Sequence, residues 1–383
     1  MSERKKLLIV YDYFYPGFRA GGPIQSLTNL VTMLVKNYDV YVLTGAYDLE
    51  ETIAYNSITV NTWNTITLPG SVDSLKVFYK DKKSITKKAL RDMIDSISPQ
   101  IIYLNGIYSY NFFILPILAL RSLASHYKII VCPRGMLKQG ALSSKAFKKS
   151  IYLTCLRASG LLNKVTWHAT GTDEAENIKA KFKNFKSIIL APNIPKLPFA
   201  NITYRDKLSP QLNLVYLSLI NEHKNLLLLL NLIQELPNVT LDVYGPVIDK
   251  NYWQQCEQVI KMMPDKIAYK GEVQPPDVQL LLSRYHALIL FTKGENFGHA
   301  IYESLSVGRP VLISNYTPWH DLKANNAGTN MDINNPEDCK RQLNEFVNMG
   351  QQEYNRYCKG ANTLATAHYN ALNAEAMYFS LFA

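Results

Sequence analysis

"ALILFTKGENFGHAIYESLSVGRPVLIS", residues 287–314, changes character three times. Residues 287–291 form a short unbroken apolar run, the pattern of a strand covered on both faces. Residues 292–298 are a polar loop holding two glycines, Gly294 and Gly298. Residues 299–308 read as a helix and 309–314 as a second apolar strand. Strand, loop, helix and strand in that order make a parallel βαβ unit. The same stretch carries two carboxylates eight residues apart, Glu295 on the loop and Glu303 in the helix.

The alternation extends through the chain. Strands are expected at 6–10, 39–44, 75–79, 100–105, 127–132 and 165–169, separated by helical patterns such as 24–36, 84–96, 109–124 and 145–161. Around 193–212, "NIPKLPFANITYRDKLSPQLN" lapses: it has three prolines and no clear period, and reads as an interdomain linker. The alternation restarts with strands at 213–218, 239–244, 266–270, 287–292 and 310–314, and helices at 224–236, 249–262, 275–284 and 299–307. Residues 336–380 read as closing helices. The expected fold is α/β, two doubly wound Rossmann-like domains facing across a cleft, with ligands beyond the carboxyl ends of the strands.

The opening stretch suggests its own chemistry. Gly298 sits just before the helix, so the amides of Phe297, Gly298 and His299 face outward with the positive end of the helix dipole. That suits a phosphate or diphosphate. Glu303 can accept two hydrogen bonds from a vicinal diol such as ribose. Glu295 reaches toward whatever the phosphate carries.

Composition limits the partners. Lys and Arg outnumber Asp and Glu by 41 to 31, a formal net charge of +10, which favours anionic ligands or an anionic membrane face. Nucleic acid is the weakest reading, because the basic clusters lack interleaved stacking aromatics. The start, "MSERKKLLIVYDYFYPG", is too short in apolar residues for a signal core, and no run approaches the ~18 apolar residues of a membrane span. The five cysteines are scattered without metal-ligand spacing and are expected as buried thiols in a reducing cytoplasm.

"E-N-F-G-H-A-I-Y-E" followed by "G-R-P-V-L-I-S" resembles the E-x7-E signature of the family 4 (GT4) retaining glycosyltransferases of the GT-B fold. Residues 8–30, "PRGML" (133–137), 168–178, "APNIP" (191–195) and 271–292 resemble further family blocks in order. The domains are then expected at 1–195 (acceptor-binding) and 213–363 (nucleotide-sugar-binding). A linker at 196–212 joins them, and a C-terminal helix in 364–383 packs back toward the first domain. The resemblance implies transfer of a hexose or N-acetylhexosamine from a UDP- or GDP-linked sugar to a saccharide acceptor, possibly carried on a polyprenyl diphosphate. The setting it implies is bacterial surface polysaccharide synthesis. It implies Glu295 and Lys224 as catalytic residues, with Glu295 positioning the sugar and the leaving phosphate acting as base on the attacked face. It implies donor contacts from Gly22, Arg134, Lys224, Asn296, Phe297, Gly298, His299 and Glu303, and acceptor contacts from Gly21 and Asn105. It implies no cofactor and no metal; the chain contains no Asp-x-Asp.

The chain departs from the family at one position. An Arg usually follows the first strand of the second domain, and Leu219 stands there, with His223, Lys293 or Arg134 as candidate substitutes. His168 is expected to be a packed structural histidine. Two basic clusters, 79–91 and 137–164, suit peripheral attachment to the inner face of a membrane. Two alternatives stay open: a nucleotide-sugar epimerase or phosphorylase of the same fold, and a non-catalytic nucleotide-sugar-binding protein.

Overall fold

The computed structural model describes residues 4–83, 85–121, 126–138 and 146–383. Lys145 of the second basic cluster, and residues 122–124 of the helix expected over 109–124, lie outside them. The chain divides into two compact units, residues 1–194 with 373–383, and residues 195–372.

The first unit is built on eight strands: β1 (Lys5–Val10), β2 (Tyr38–Gly45), β3 (Trp63–Thr67), β4 (Ser74–Lys80), β5 (Ile101–Asn105), β6 (Lys128–Cys132), β7 (Thr166–Ala169) and β8 (Ser187–Leu190). Their order is β3-β4-β2-β1-β5-β6-β7-β8. Leu7 of β1 lies opposite Val40 on one side and Ile101 on the other, so β1 is central and its residues 7–10 are fully buried. β3 runs antiparallel to β4. The sequence pattern missed β3 because "WNTIT" is short, polar and half-exposed, with nothing for periodicity to register.

The second unit carries β9 (Leu212–Leu217), β10 (Val239–Tyr244), β11 (Ile267–Gly271), β12 (Ala287–Leu290), β13 (Val311–Ser314) and β14 (Gly328–Met331), in the order β11-β10-β9-β12-β13-β14, all parallel. β14, "GTNM", was also missed. It exists because Gly328 lets the backbone close on β13: a Cβ there would stand 1.9 Å from the Val311 carbonyl oxygen.

Three expectations are corrected. The stretch read as a linker is a strap packed on the second unit. Lys207 Nζ donates to the carbonyls of Val347 (2.9 Å) and Met349 (3.2 Å), and Arg309, buried, donates to the Thr203 carbonyl at 2.8 Å. Polar anchors of this kind leave no periodicity in a sequence. The closing helices break at residue 373, not 364: helix Gln351–Ala371 stays in the second unit, while Ala374–Phe382 packs in the first, Phe382 against Tyr38 and Tyr103. Cys155 is exposed on the outer face of helix Ala146–Ala158; the other four cysteines are buried, as expected.

Candidate functional site

In the second sheet the chain crosses to one side after β9 and to the other after β12. Loops leaving these neighbouring strands therefore diverge around a crevice. After β9, Asn221 caps a short turn, its Oδ1 accepting from Lys224 N at 3.1 Å, and Asn225 (φ 56°) turns the chain into helix Leu226–Gln234. The β12 loop is stitched to this turn. Lys293 N donates to the His223 carbonyl at 2.9 Å, and His223 Nε2 donates to the Gly294 carbonyl at 3.0 Å. The result brings the Lys224 ammonium onto Glu295 Oε1, an ion pair about 15% exposed on both sides. Glu295 N donates to the Tyr316 carbonyl at 3.1 Å, which fixes the loop from β13's side.

The helix His299–Ser306 begins beside this pair. Gly298 is left-handed (φ 78°), and no side chain caps the helix. A Cβ at Gly298 would stand 2.8 Å from Ile301 Cδ1, so a side chain is disfavoured by both backbone and space. Trp319 Nε1 donates to the Phe297 carbonyl at 2.7 Å, and the Phe297 ring packs among His299, Tyr302, Trp319 and His368. One turn in, Glu303 is nearly buried, 2.8 Å from Lys196 Nζ. Burial pushes its carboxyl above the ordinary carboxylate range and Lys196 works against that shift. Among the described residues no well-aligned hydrogen bond reaches Glu303 Oε1. Lys196 Nζ also bonds the Pro275 carbonyl, and Tyr302 hydroxyl holds the Lys196 carbonyl at 2.9 Å. Sequence reasoning missed Lys196, which sits in the stretch read as linker; "NIPKLP" gives no signal beyond a lone cation. Lys196→Met leaves a buried carboxylate uncompensated. It is expected to lower the unfolding free energy of the second unit by ~2–3 kcal/mol in urea titrations at pH 7.

The candidates to replace the missing Arg do other work. Leu219 is half-buried, and its carbonyl accepts from Tyr216 hydroxyl at 3.2 Å. His223 holds Gly294, and Lys293 pairs with Glu222 at 3.2 Å on the surface. Among the described residues no group of three or more His, Cys, Asp or Glu is placed to hold a metal ion.

In the first unit Arg134, expected as a donor contact, and Asn105, expected as an acceptor contact, are buried and bonded to each other. Arg134 is 8% exposed and Asn105 fully buried. Arg134 Nε donates to Asn105 Oδ1 at 2.9 Å, one terminal nitrogen to Asn193 Oδ1 at 3.0 Å, and the other to Tyr103 hydroxyl at 3.1 Å. Its three-way fork is engaged inside the unit by two amides and a phenol. His168 is buried as expected. Nε2 faces the Ala191 carbonyl at 2.7 Å and therefore carries the proton, while Nδ1 accepts from Tyr103 hydroxyl at 2.7 Å.

Gly21 (φ 74°, ψ −140°) precedes helix Gly22–Leu34, a backbone geometry that only glycine takes readily. Its loop is anchored by Asp48, which accepts from Phe18 N at 2.8 Å and Arg19 N at 3.1 Å. Asp12, just past β1 at the first sheet's own switch point, was not singled out in sequence. Its Oδ1 accepts from Ser109 hydroxyl at 2.6 Å, and burial pushes its carboxyl up.

Burial pushes His168 down to about 3, with the Arg134 charge acting the same way, and pushes His286 of the second unit down to about 4. Both are neutral when folded and protonate when unfolded near pH 6.5. Their contribution to stability is therefore present above pH ~6.5 and lost as pH falls toward 4 and then 3. Urea midpoints are expected to drop between pH 7 and pH 5 by the equivalent of about 2 kcal/mol per histidine, and His286→Gln is expected to flatten that slope.

No curated protein matches this chain in sequence. Solved structures match it over nearly its full length. Sucrose-phosphate synthase (tll1590) from Thermosynechococcus elongatus is similar with TM-score 0.73 and 14% identity, covering 99% of this chain and 97% of that one. Anabaena Alr3699/HepE, solved in complex with UDP and glucose, gives TM-score 0.68 and 14% identity over 99% of both chains. WaaG, a glycosyltransferase involved in lipopolysaccharide biosynthesis, gives 0.61 and 11% over 98% of both. These likenesses show a fold of two parallel-sheet α/β units shared with GT-B glycosyltransferases. Residues 206–363, which contain Lys224, Glu295 and Glu303, match the model of the family Glycosyl transferases group 1.

Proposed function

We propose that this chain is a retaining, GT4-type glycosyltransferase. It moves a hexose or N-acetylhexosamine from a UDP- or GDP-linked donor to a saccharide acceptor without a metal ion. The observation that carries the reading is the meeting of Lys224 and Glu295 at the β9/β12 switch point, beside a helix start that no side chain caps. As the bond from the anomeric carbon to the diphosphate breaks, negative charge grows on the leaving oxygens. The Lys224 ammonium and the amide end of helix His299–Ser306 stabilise it. Glu295 holds the sugar and stabilises positive charge at the anomeric carbon. The departing phosphate takes the acceptor hydroxyl proton on the same face, so configuration is retained. Glu303, held in place by Lys196, accepts the ribose hydroxyls.

The nucleotide reading draws on the HepE relative, whose structure holds UDP and glucose, and the polysaccharide setting on WaaG. A cytoplasmic protein lying on the inner membrane face, with a lipid-linked acceptor, is supported by helix Ala146–Ala158. Phe147 is 79% and Ile151 50% exposed one turn apart, on a helix that also carries Lys148 and Arg157. Among the described residues no helix is long and apolar enough to cross a membrane.

A thermal-shift panel of UDP, GDP and their sugars tests the donor. Stabilisation by one nucleotide series at millimolar concentration is the expected result, because only a ligand that binds the folded state raises its melting point. Product analysis with and without saccharide acceptor, in EDTA, then tests transfer. Sugar turnover without any acceptor would support an epimerase instead, and strict dependence on added metal would overturn the metal-free scheme.

A further inference from the structure

At the opposite, amino-terminal edge of the first unit's sheet lies a cavity of about 600 Å³. Lys128 begins β6, Thr166 begins β7 and Lys186 immediately precedes β8, so adjacent strands deliver three polar side chains to one rim. Asn163 and Lys164, in the turn after helix Ala146–Ala158, and His126 complete the polar wall. No side chain on that wall is acidic; Ala383, which also reaches it, brings at most one carboxylate against three lysines. Burial pushes the Lys128 ammonium below the ordinary lysine range, and the charges of Lys186 and then Lys5 push it further. Like charges are thus gathered in one concave place, and among the described residues none of the three lysines lies in a salt bridge with a side-chain carboxylate.

We infer that this cavity is a second anion site, taking the phosphate or diphosphate of an ester. Three ammonium groups converging on a concavity, with amide and imidazole groups beside them, match clustered phosphate oxygens better than a single carboxylate. The volume leaves room for an organic substituent beyond the phosphates. Lys128 and Cys132 are the two ends of a five-residue strand, four steps or about 13 Å apart at the usual strand rise. The cavity therefore lies on the face of the unit away from Asp12, Asn105 and Gly106, which end or follow β1 and β5. It is a distinct site for tethering or regulation and takes no part in the switch-point chemistry of the second unit.

The test uses the full chain and inorganic diphosphate as probe, by isothermal calorimetry at low salt. Because Lys224 is proposed to bind a diphosphate as well, the titration is run in a Lys224→Gln background. Saturable binding is expected there, weakened at least tenfold by Lys128→Gln with Lys186→Gln. The exposed pair Lys164→Gln with Lys186→Gln, which leaves the strands untouched, is expected to weaken it similarly, with the melting temperature unchanged. A parallel arm floats the chain with phosphatidylcholine vesicles containing or lacking phosphatidic acid. Binding of free diphosphate that the lysine variants abolish identifies a soluble phosphate ligand. Binding only to phosphatidic acid vesicles, abolished by the same variants, identifies a lipid headgroup. Absence of both, or binding that the lysine variants leave unchanged, overturns the site.

Discussion

Lys224→Met and Glu295→Gln are each expected to lower kcat by about 10²–10³-fold, the scale on which one preorganised charge-stabilising group acts. Their effects on donor binding should diverge. In the proposed scheme Lys224 makes a charged contact to the diphosphate in ground and transition states alike, so its loss is expected to weaken donor affinity as well, by about 1.5–3 kcal/mol on the scale of charged hydrogen bonds. Glu295 in the same scheme acts on the sugar, so Glu295→Gln should leave nucleotide affinity within a few fold while turnover collapses. The two side chains are also an ion pair with each other. Each is less than a fifth exposed, and removing either takes one opposite charge from the other, so the double variant is expected to be no slower than the worse single one. Initial rates and calorimetric titration with the nucleotide alone separate these outcomes. Full turnover in Glu295→Gln would remove Glu295 from the mechanism. Equal losses of nucleotide affinity in both variants would mean that Glu295 serves only to place Lys224.

Much of this site could be read before any coordinates. Glu295, Gly298 and Glu303 sit within one βαβ unit, where local periodicity fixes strand, loop and helix, and the loop geometry follows from the glycine. Lys224 was placed by resemblance. Its meeting with Glu295 depends on sheet order, because β9 and β12 are adjacent only once the second sheet is assembled. Lys196 was invisible for a different reason. Its role comes from a strap whose backbone is held by Tyr302 and Gln279 from elsewhere in the unit, and such polar anchoring leaves no hydrophobic period. β3 and β14 escaped because their pairing is decided by their neighbours and not by their own residues. The surroundings of Arg134 were hidden for the converse reason. A cation at the carboxyl end of a strand is where a ligand contact would lie, and only the three-dimensional positions of Tyr103, Asn105 and Asn193 reveal that its donors are already engaged.

That network makes the second large prediction. Arg134→Met deletes a buried guanidinium and strips donors from Asn105 Oδ1, Asn193 Oδ1 and Tyr103 hydroxyl. Each buried acceptor left unsatisfied costs about 1–3 kcal/mol. Part of that cost is offset because a desolvated charge is also removed, leaving a net loss of ~3 kcal/mol. For a unit of this size the melting temperature should fall by roughly 6–12 °C. Residue 134 is left-handed (φ 53°), so Arg134→Gly relieves about 1 kcal/mol of backbone strain and should melt above Arg134→Met, though below the parent. A general packing defect would produce the melting shift too, so the deciding measurement is the His168 imidazole. It is held near 3 by burial and by the Arg134 charge through the shared Tyr103 hydroxyl. With that charge gone, the His168 ring is expected to titrate at higher pH by NMR in both variants. An unchanged His168 titration would show that the guanidinium charge does not reach the ring. Unchanged melting would show that the fork holds nothing the fold needs.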